Sequence, residues 1–181
     1  MANPQRWGNS RALNAVCPLL YYEEGPVLDQ LVALVERDKV EGETLSCGSN
    51  FQNLPRTAQG NWFLSGVNDT YPEDPHLALV RSSIRPDHAV LSVGNSIPNL
   101  RYGKYEFLLE SQCLLNRDFR DIIPDGHIYG FQTSVPYGFG FNGVIIIMMP
   151  DAETLWIDAL RGATTEPASW AFTENKTVFV R

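Results

Sequence analysis

The stretch PYGFGFNGVIIIMMPDAE, Pro136 to Glu153, decides how this chain folds. A glycine-aromatic segment runs straight into six apolar residues, Val144 to Met149. A strand with one wet face alternates apolar and polar side chains, because successive residues point to opposite sides of the sheet. This one does not alternate, and leaving three large aliphatic side chains in water would invite aggregation. Both of its faces must therefore be buried. The core takes one. The expected cover for the other is an amphipathic helix, with a subunit interface and a ligand-lined wall as the alternatives.

One such helix is legible. In GPVLDQLVALVERDK, Pro26 stands at the opening turn and Val27, Leu28, Leu31, Leu34 and Val35 recur at helical spacing. Asp29, Gln30, Glu36 and Arg37 are left for water, so the apolar stripe needs a packing partner. After about Gly42 the pattern changes to short apolar segments separated by Pro, Gly, Asn and Asp clusters, the mark of an all-β sandwich or barrel. Strands are expected near Leu45–Gln52, Asn61–Ser65, Leu77–Ser82, Ala89–Val93, Lys104–Cys113, Ile128–Thr133, Val144–Met149, Leu155–Arg161, Ser169–Thr173 and Thr177–Val180. Their connections are too short for parallel crossover helices, so successive strands run antiparallel. Alternation in KYEFLLES puts Tyr105, Phe107 and Leu109 on one face and Glu106 and Glu110 on the other. TLWIDAL puts Leu155, Ile157 and Ala159 inward, opposite Trp156, Asp158 and Leu160.

The expected architecture is mainly β: one domain over residues 1–181, with an arm and helix in 1–42 and a barrel in 43–181. The barrel is antiparallel and closed, of about eight to ten strands, with the helix packed on its outside. A β-sandwich, which uses the same strand pattern, is the alternative.

Composition narrows the function classes. With 44% apolar and 19% charged residues the chain is an ordinary globular one. A net charge of −7 argues against nucleic acid and anionic membranes as partners. The longest apolar run is far below the roughly 20 residues of a transmembrane helix. No signal-peptide pattern opens the sequence, which as written places the protein in the cytoplasm; removal of an export signal would make it a secreted one. Cys17, Cys47 and Cys113 are too far apart for a zinc knuckle or redox pair and read as three thiols, with a Cys17–Cys47 disulfide as the alternative.

Gly60-Asn61-Trp62 opens a set of eight or more antiparallel segments, with Trp62 on the first strand. This resembles the calycin group, whose lipocalins begin their barrel with a Gly-x-Trp motif that closes one end. The resemblance implies a closed barrel with an apolar cup for a small ligand; an ordinary core tryptophan is the simpler reading. TAQGNWF, HLALV and LSVG are also similar to segments of uncharacterised bacterial β domains, which implies no activity.

Chemistry-bearing residues are sparse. His76, His88 and His127 each stand at a loop-to-strand junction near an aspartate, in Asp74-Pro-His76, Asp87-His88 and Asp125-Gly-His127. They read as solvated turn histidines; gathered at one rim they would form a metal or acid–base set. GFGFNG lacks the lysine and helix of a phosphate loop and reads as a hairpin loop folding Phe139 and Phe141 over an open barrel end, or as a ligand lid. In NRDFRDIIPDGH, Arg117, Asp118, Arg120 and Asp121 form a surface ion-pair cluster, or else Arg117 or Arg120 points inward to bind a carboxylate.

The leading expectation is a non-catalytic barrel binding a small, apolar or aromatic molecule through Trp62, Phe63, Tyr105, Phe107, Tyr129, Phe131, Tyr137, Phe139 and Phe141, with no cofactor and no metal. The second is an isomerase, cyclase or lyase using Tyr129, Asp125, His127 and Glu106 as an acid–base group. The third is an interaction protein, a homo-oligomer joined through the VIIIMM strand or an exposed edge.

Overall fold

The computed structural model describes residues 18–36, 53–67, 75–82, 85, 87–110, 113–133 and 140–181. After a 3-10 turn at Pro18–Tyr21 comes helix α1 (Pro26–Glu36). Eight strands follow: β1 (Gly60–Leu64), β2 (Leu77–Arg81), β3 (His88–Val93), β4 (Gly103–Leu108), β5 (Tyr129–Phe131), β6 (Gly143–Asp151), β7 (Thr154–Arg161) and β8 (Thr177–Val180). All neighbours are antiparallel, in the order β4-β3-β2-β1-β8-β7-β6-β5.

Only the seam between β4 and β5 lacks a ladder, and the chain crosses it with the segment Leu114–Asn116. The amide of Asn116 donates to the Gly130 carbonyl at 2.8 Å, Gly130 to Leu114 at 2.9 Å and Glu110 to Asn116 at 3.0 Å. The Asn116 side chain accepts from the Gln132 amide at 2.9 Å. Asn116 has φ of 51°, a left-handed conformation that asparagine tolerates better than most residues. Across the seam the Phe107 and Phe131 rings lie 5.1 Å apart, and Phe119 packs on Phe131 at 5.0 Å. The result is a nearly closed antiparallel barrel.

Side chains fill its centre. Trp62, Leu79, Leu91, Phe107, Phe131, Ile145, Ile147, Leu155, Ile157 and Phe179 have no accessible area, so other side chains meet them rather than space the size of a water. One end is shut by the lead-in to β1: the amides of Ala58 and Gln59 donate to Ile122 and Phe119, and the Trp62 indole donates to the Ala58 carbonyl at 2.8 Å. Over the other end folds the β3–β4 loop, which puts Ile97 and Leu100 into the core. That loop is tied across the barrel by Arg161 to the Asn99 carbonyl (3.0 Å) and Thr177 to the Ser96 carbonyl (3.2 Å).

The outer face of β6 is covered by the β7–β8 connection, and this corrects the expected cover. Val144 and Ile146 form a second apolar cluster with Trp170, onto which Leu114, Leu115, Ile128, Leu160, Ala163 and Phe172 pack. No described residue of α1 takes part, and its Val27 and Leu34 are 62% and 61% exposed. The helix forms where its periodicity places it, without supplying this layer. The strand expected at Ser169–Thr173 is likewise absent: a 3-10 turn at Pro167–Ser169 aims Trp170 back over the sheet, and its indole donates to the Thr164 carbonyl at 3.0 Å. Buried Asp158 fastens the other half of the connection, accepting from the Thr173 amide (2.8 Å) and hydroxyl (2.7 Å). The expected strand at Leu45–Gln52, Cys17 and Cys47 lie outside the described residues; Cys113 is exposed and unpaired. None of the described helices is long and apolar enough to cross a membrane.

The distal edge of the Trp170 ring sits against Gly130, where an added Cβ would come within 2.3–2.8 Å of three ring atoms. Gly130→Ala is therefore expected to cost about 1–3 kcal/mol by overpacking, and Trp170→Ala about 3 kcal/mol by exposing the outer cluster. In urea unfolding of the double mutant, Gly130→Ala should be close to neutral once Trp170 is gone, giving a strongly non-additive cycle.

Candidate functional site

At the closed end, the long β4–β5 connection brings three of the four sequence-predicted acid–base residues together. Asp125 and His127 flank Gly126, whose φ of 80° turns the backbone sharply. The turn lets Asp125 Oδ1 accept from the His127 amide at 3.0 Å, a local bond typical of aspartate before a strand. Asp125 Oδ2 then takes the Tyr129 hydroxyl at 2.6 Å and lies 3.3 Å from His127 Nδ1. Tyr129 starts β5 with its ring in the core, and the His127 ring stands edge-on to it at 6.5 Å. The order is a relay running from buried phenol through carboxylate to an imidazole that is 61% exposed.

Electrostatics fixes the protonation of two members. Burial pushes the Asp125 carboxyl up, but bonds from the Tyr129 hydroxyl, the His127 amide and the His127 ring outweigh it and hold the carboxyl below its ordinary 3.8. Burial is also the largest influence on Tyr129; with the Asp125 bond and charge it pushes the phenol up to about 12. Asp121 adds in the same direction and Arg117 opposes. At neutral pH Tyr129 is thus a hydrogen-bond donor and Asp125 an acceptor.

Glu106, the fourth candidate, is not part of this group. Alternation along β4 sends it to the outer face, where Lys104 Nζ at 3.1 Å and Arg85 at 3.3 Å enclose its carboxylate. The histidines do not gather at one rim either. His76 accepts from the Leu64 amide through Nδ1 and packs on Phe63 at 5.0 Å, beyond the opposite end of β1. His88 is buried at the start of β3, with Nδ1 2.9 Å from Asp87. Among the described residues no group of three or more His, Cys, Asp or Glu side chains is placed to hold a metal.

The predicted ligand-lining residues divide by place. Trp62, Tyr105, Phe107, Tyr129 and Phe131 face the filled centre, and Phe63 faces outward from β1 against His76. Tyr105 reaches the rim of the end under the β3–β4 loop, donating to the Arg101 carbonyl at 2.6 Å. Phe141 is half-buried there, with Arg161 stacked 6.0 Å from its centroid. Tyr137 and Phe139 lie outside the described residues. Sequence reading missed the residue that holds the closed end together: Arg181 stacks 4.2 Å over Trp62 and donates to the carbonyls of Leu54, Thr57 and Gln59 at 2.9, 2.6 and 2.7 Å. No family model matches this chain, and comparison with curated proteins and with solved structures gives no significant match.

The relay makes a pH-dependent contribution of known sign. Tyr129 has a raised pKa, so its share of stability is complete below pH 10 and is lost as pH climbs through about 12. Asp125 has a lowered one, so its share is complete above 3.8 and is lost as pH falls through the folded value. In spectrophotometric titration, Tyr129→Phe should remove an alkaline tyrosine step near 12, and Asp125→Asn should move that step down.

Proposed function

We propose that this protein binds a small organic molecule at the barrel end carrying Asp125, His127 and Tyr129, and moves a proton on it. The observation that carries this reading is the relay. Tyr129 anchors Asp125, Asp125 orients His127 through Nδ1, and Nε2 of an exposed imidazole is left to meet a substrate. In the proton-transfer step Nε2 takes a proton from an acidic C–H and returns it to a neighbouring atom. That is isomerisation, or elimination when a leaving group receives the proton. Asp125 stays ionised throughout and stabilises the imidazolium; Tyr129 stays protonated and keeps Asp125 in place.

The test is deuterium exchange, followed by NMR in heavy water, at C–H positions beside the carbonyl of a panel of small keto and hydroxy compounds. Exchange faster than in buffer is expected with the wild-type protein. It should be lost in His127→Gln, reduced in Asp125→Asn and unchanged in Glu106→Gln. A panel in which no compound exchanges and none perturbs the His127 ring signals removes the reading.

A second reading, non-catalytic binding of a small apolar or aromatic molecule, is favoured by the construction of the opposite end. There Ile97 and Leu100 enter the core from a loop whose cross-barrel ties are the bonds to Asn99 and Ser96. A ligand replacing these two side chains would meet Tyr105 and Phe141 at the rim. The place of Gly60-Asn61-Trp62 supports the calycin resemblance behind this reading, since Trp62 stands on the first barrel strand and bonds into the closed end. Native mass spectrometry of protein from its own host should then show a retained apolar molecule. Preparations that carry none, and bind no apolar fluorescent probe, exclude it.

A further inference from the structure

We infer that Asn142-Gly143 is a self-modifying site, where the asparagine side chain closes onto the Gly143 amide and the link converts to isoaspartate with loss of ammonia. The sequence contains this Asn-Gly pair and no other. The fold dictates the glycine. Gly143 opens β6 with φ of 144°, and a Cβ there would strike the Leu160 carbonyl oxygen while lying 3.0 Å from the Arg161 Cα and the Gly162 nitrogen. The amide that follows Asn142 therefore carries no side chain to shield it. The asparagine is open too: it is exposed, and among the described residues its side chain makes no hydrogen bond. The attacking nitrogen is not tied to β7 either. The Gly162 amide donates to the Asn142 carbonyl at 3.0 Å, which makes Gly143 and Arg161 a pair that exchanges no ladder bonds.

In the reaction the Gly143 nitrogen attacks Asn142 Cγ and gives up its proton, and the side-chain nitrogen leaves as ammonia, closing a succinimide ring. Water then opens the ring. Addition at one carbonyl gives aspartate with the ordinary backbone; addition at the other routes the main chain through the former side chain, as isoaspartate. Asp125-Gly126 has the same kind of neighbour but is guarded, since its carboxylate is ionised and both oxygens are held, by the His127 amide and the Tyr129 hydroxyl. Asn116 is buried with its oxygen on the Gln132 amide, while the exposed Asn99 and Asn175 precede leucine and lysine. An isoaspartyl link lengthens the main chain where β6 begins and adds a carboxylate there. It disrupts the bond from Gly162, and the shift falls on Arg161, which stands opposite Gly143, stacks near Phe141 and ties the β3–β4 loop through the Asn99 carbonyl. Conversion thus loosens the loop that fills this barrel end with Ile97 and Leu100.

The test ages the full chain at mildly alkaline pH in water enriched in heavy oxygen. Digests are then read by mass spectrometry with electron-transfer fragmentation, which separates isoaspartate from aspartate. Asn142 is expected to convert about tenfold or more faster than Asn99 or Asn175, because glycine lowers the barrier to ring closure. The product should carry one heavy oxygen, with isoaspartate in excess over aspartate. Hydrogen exchange at the Gly162 amide, and at the Leu100 amide that bonds to Ile97, should accelerate in the aged wild type. Asn142→Gln, whose longer side chain closes the ring far less readily, should keep both amides protected after the same treatment. Conversion of Asn142 no faster than that of Asn175 overturns the inference, as does aspartate formed without isoaspartate. Isoaspartate formed at Asn142 with unchanged exchange at Gly162 and Leu100 overturns the loosening of the loop.

Discussion

The closed end of the barrel depends on one buried cation. Arg181 follows the last strand and turns its guanidinium under the barrel, over the face of Trp62 and onto three backbone carbonyls of the segment that leads into the first strand. Burial draws its pKa down and the Glu153 charge partly restores it, so the site is a desolvated one. There charge-assisted bonds and the ring quadrupole must replace lost water. The carbonyls it fixes belong to residues whose amides and neighbours pair with Phe119 and Ile122. Those in turn begin the stretch that delivers Asp125, His127 and Tyr129. First strand, last strand, plug and candidate site are thus joined through a single side chain.

The second constraint is the two-faced burial of β6. Ile145 and Ile147 enter the core, while Val144 and Ile146 are sealed from outside by a loop rather than a helix. That loop is held by a tryptophan lying on a glycine and by a buried aspartate with its hydrogen bonds satisfied. Loops at both barrel ends and on this outer face therefore carry packing as well as connection.

Much of this was legible in the residues. Alternation in TLWIDAL and KYEFLLES named the inward and outward side chains, because a strand's period is a local property. The same alternation already placed Glu106 outside, away from Tyr105 and Phe107. In DGHIY the glycine turn and short spacing brought Asp125, His127 and Tyr129 within mutual reach, again a local matter. What the sequence hid is decided by distant partners. The residues around Trp170 predict a strand, because nothing nearby reveals that Gly130 leaves room for its ring. An amphipathic stripe in α1 says that a partner is wanted, not which one. Arg181 bonds to Gln59 across 122 positions, a pairing no local pattern announces. Arg117 and Arg120 look alike in sequence; only the geometry around Asp118 shows which of them is spoken for.

The most direct measurement is amide hydrogen exchange in wild-type protein and Arg181→Met. If the buried guanidinium holds the closed end, exchange at Ala58, Gln59 and Ile122 accelerates by about tenfold or more. Amides in the β2–β3 ladder, around Leu79 and Leu91, should keep their protection. Unchanged exchange at Ala58 and Gln59, or a uniform acceleration through every strand, would contradict the account.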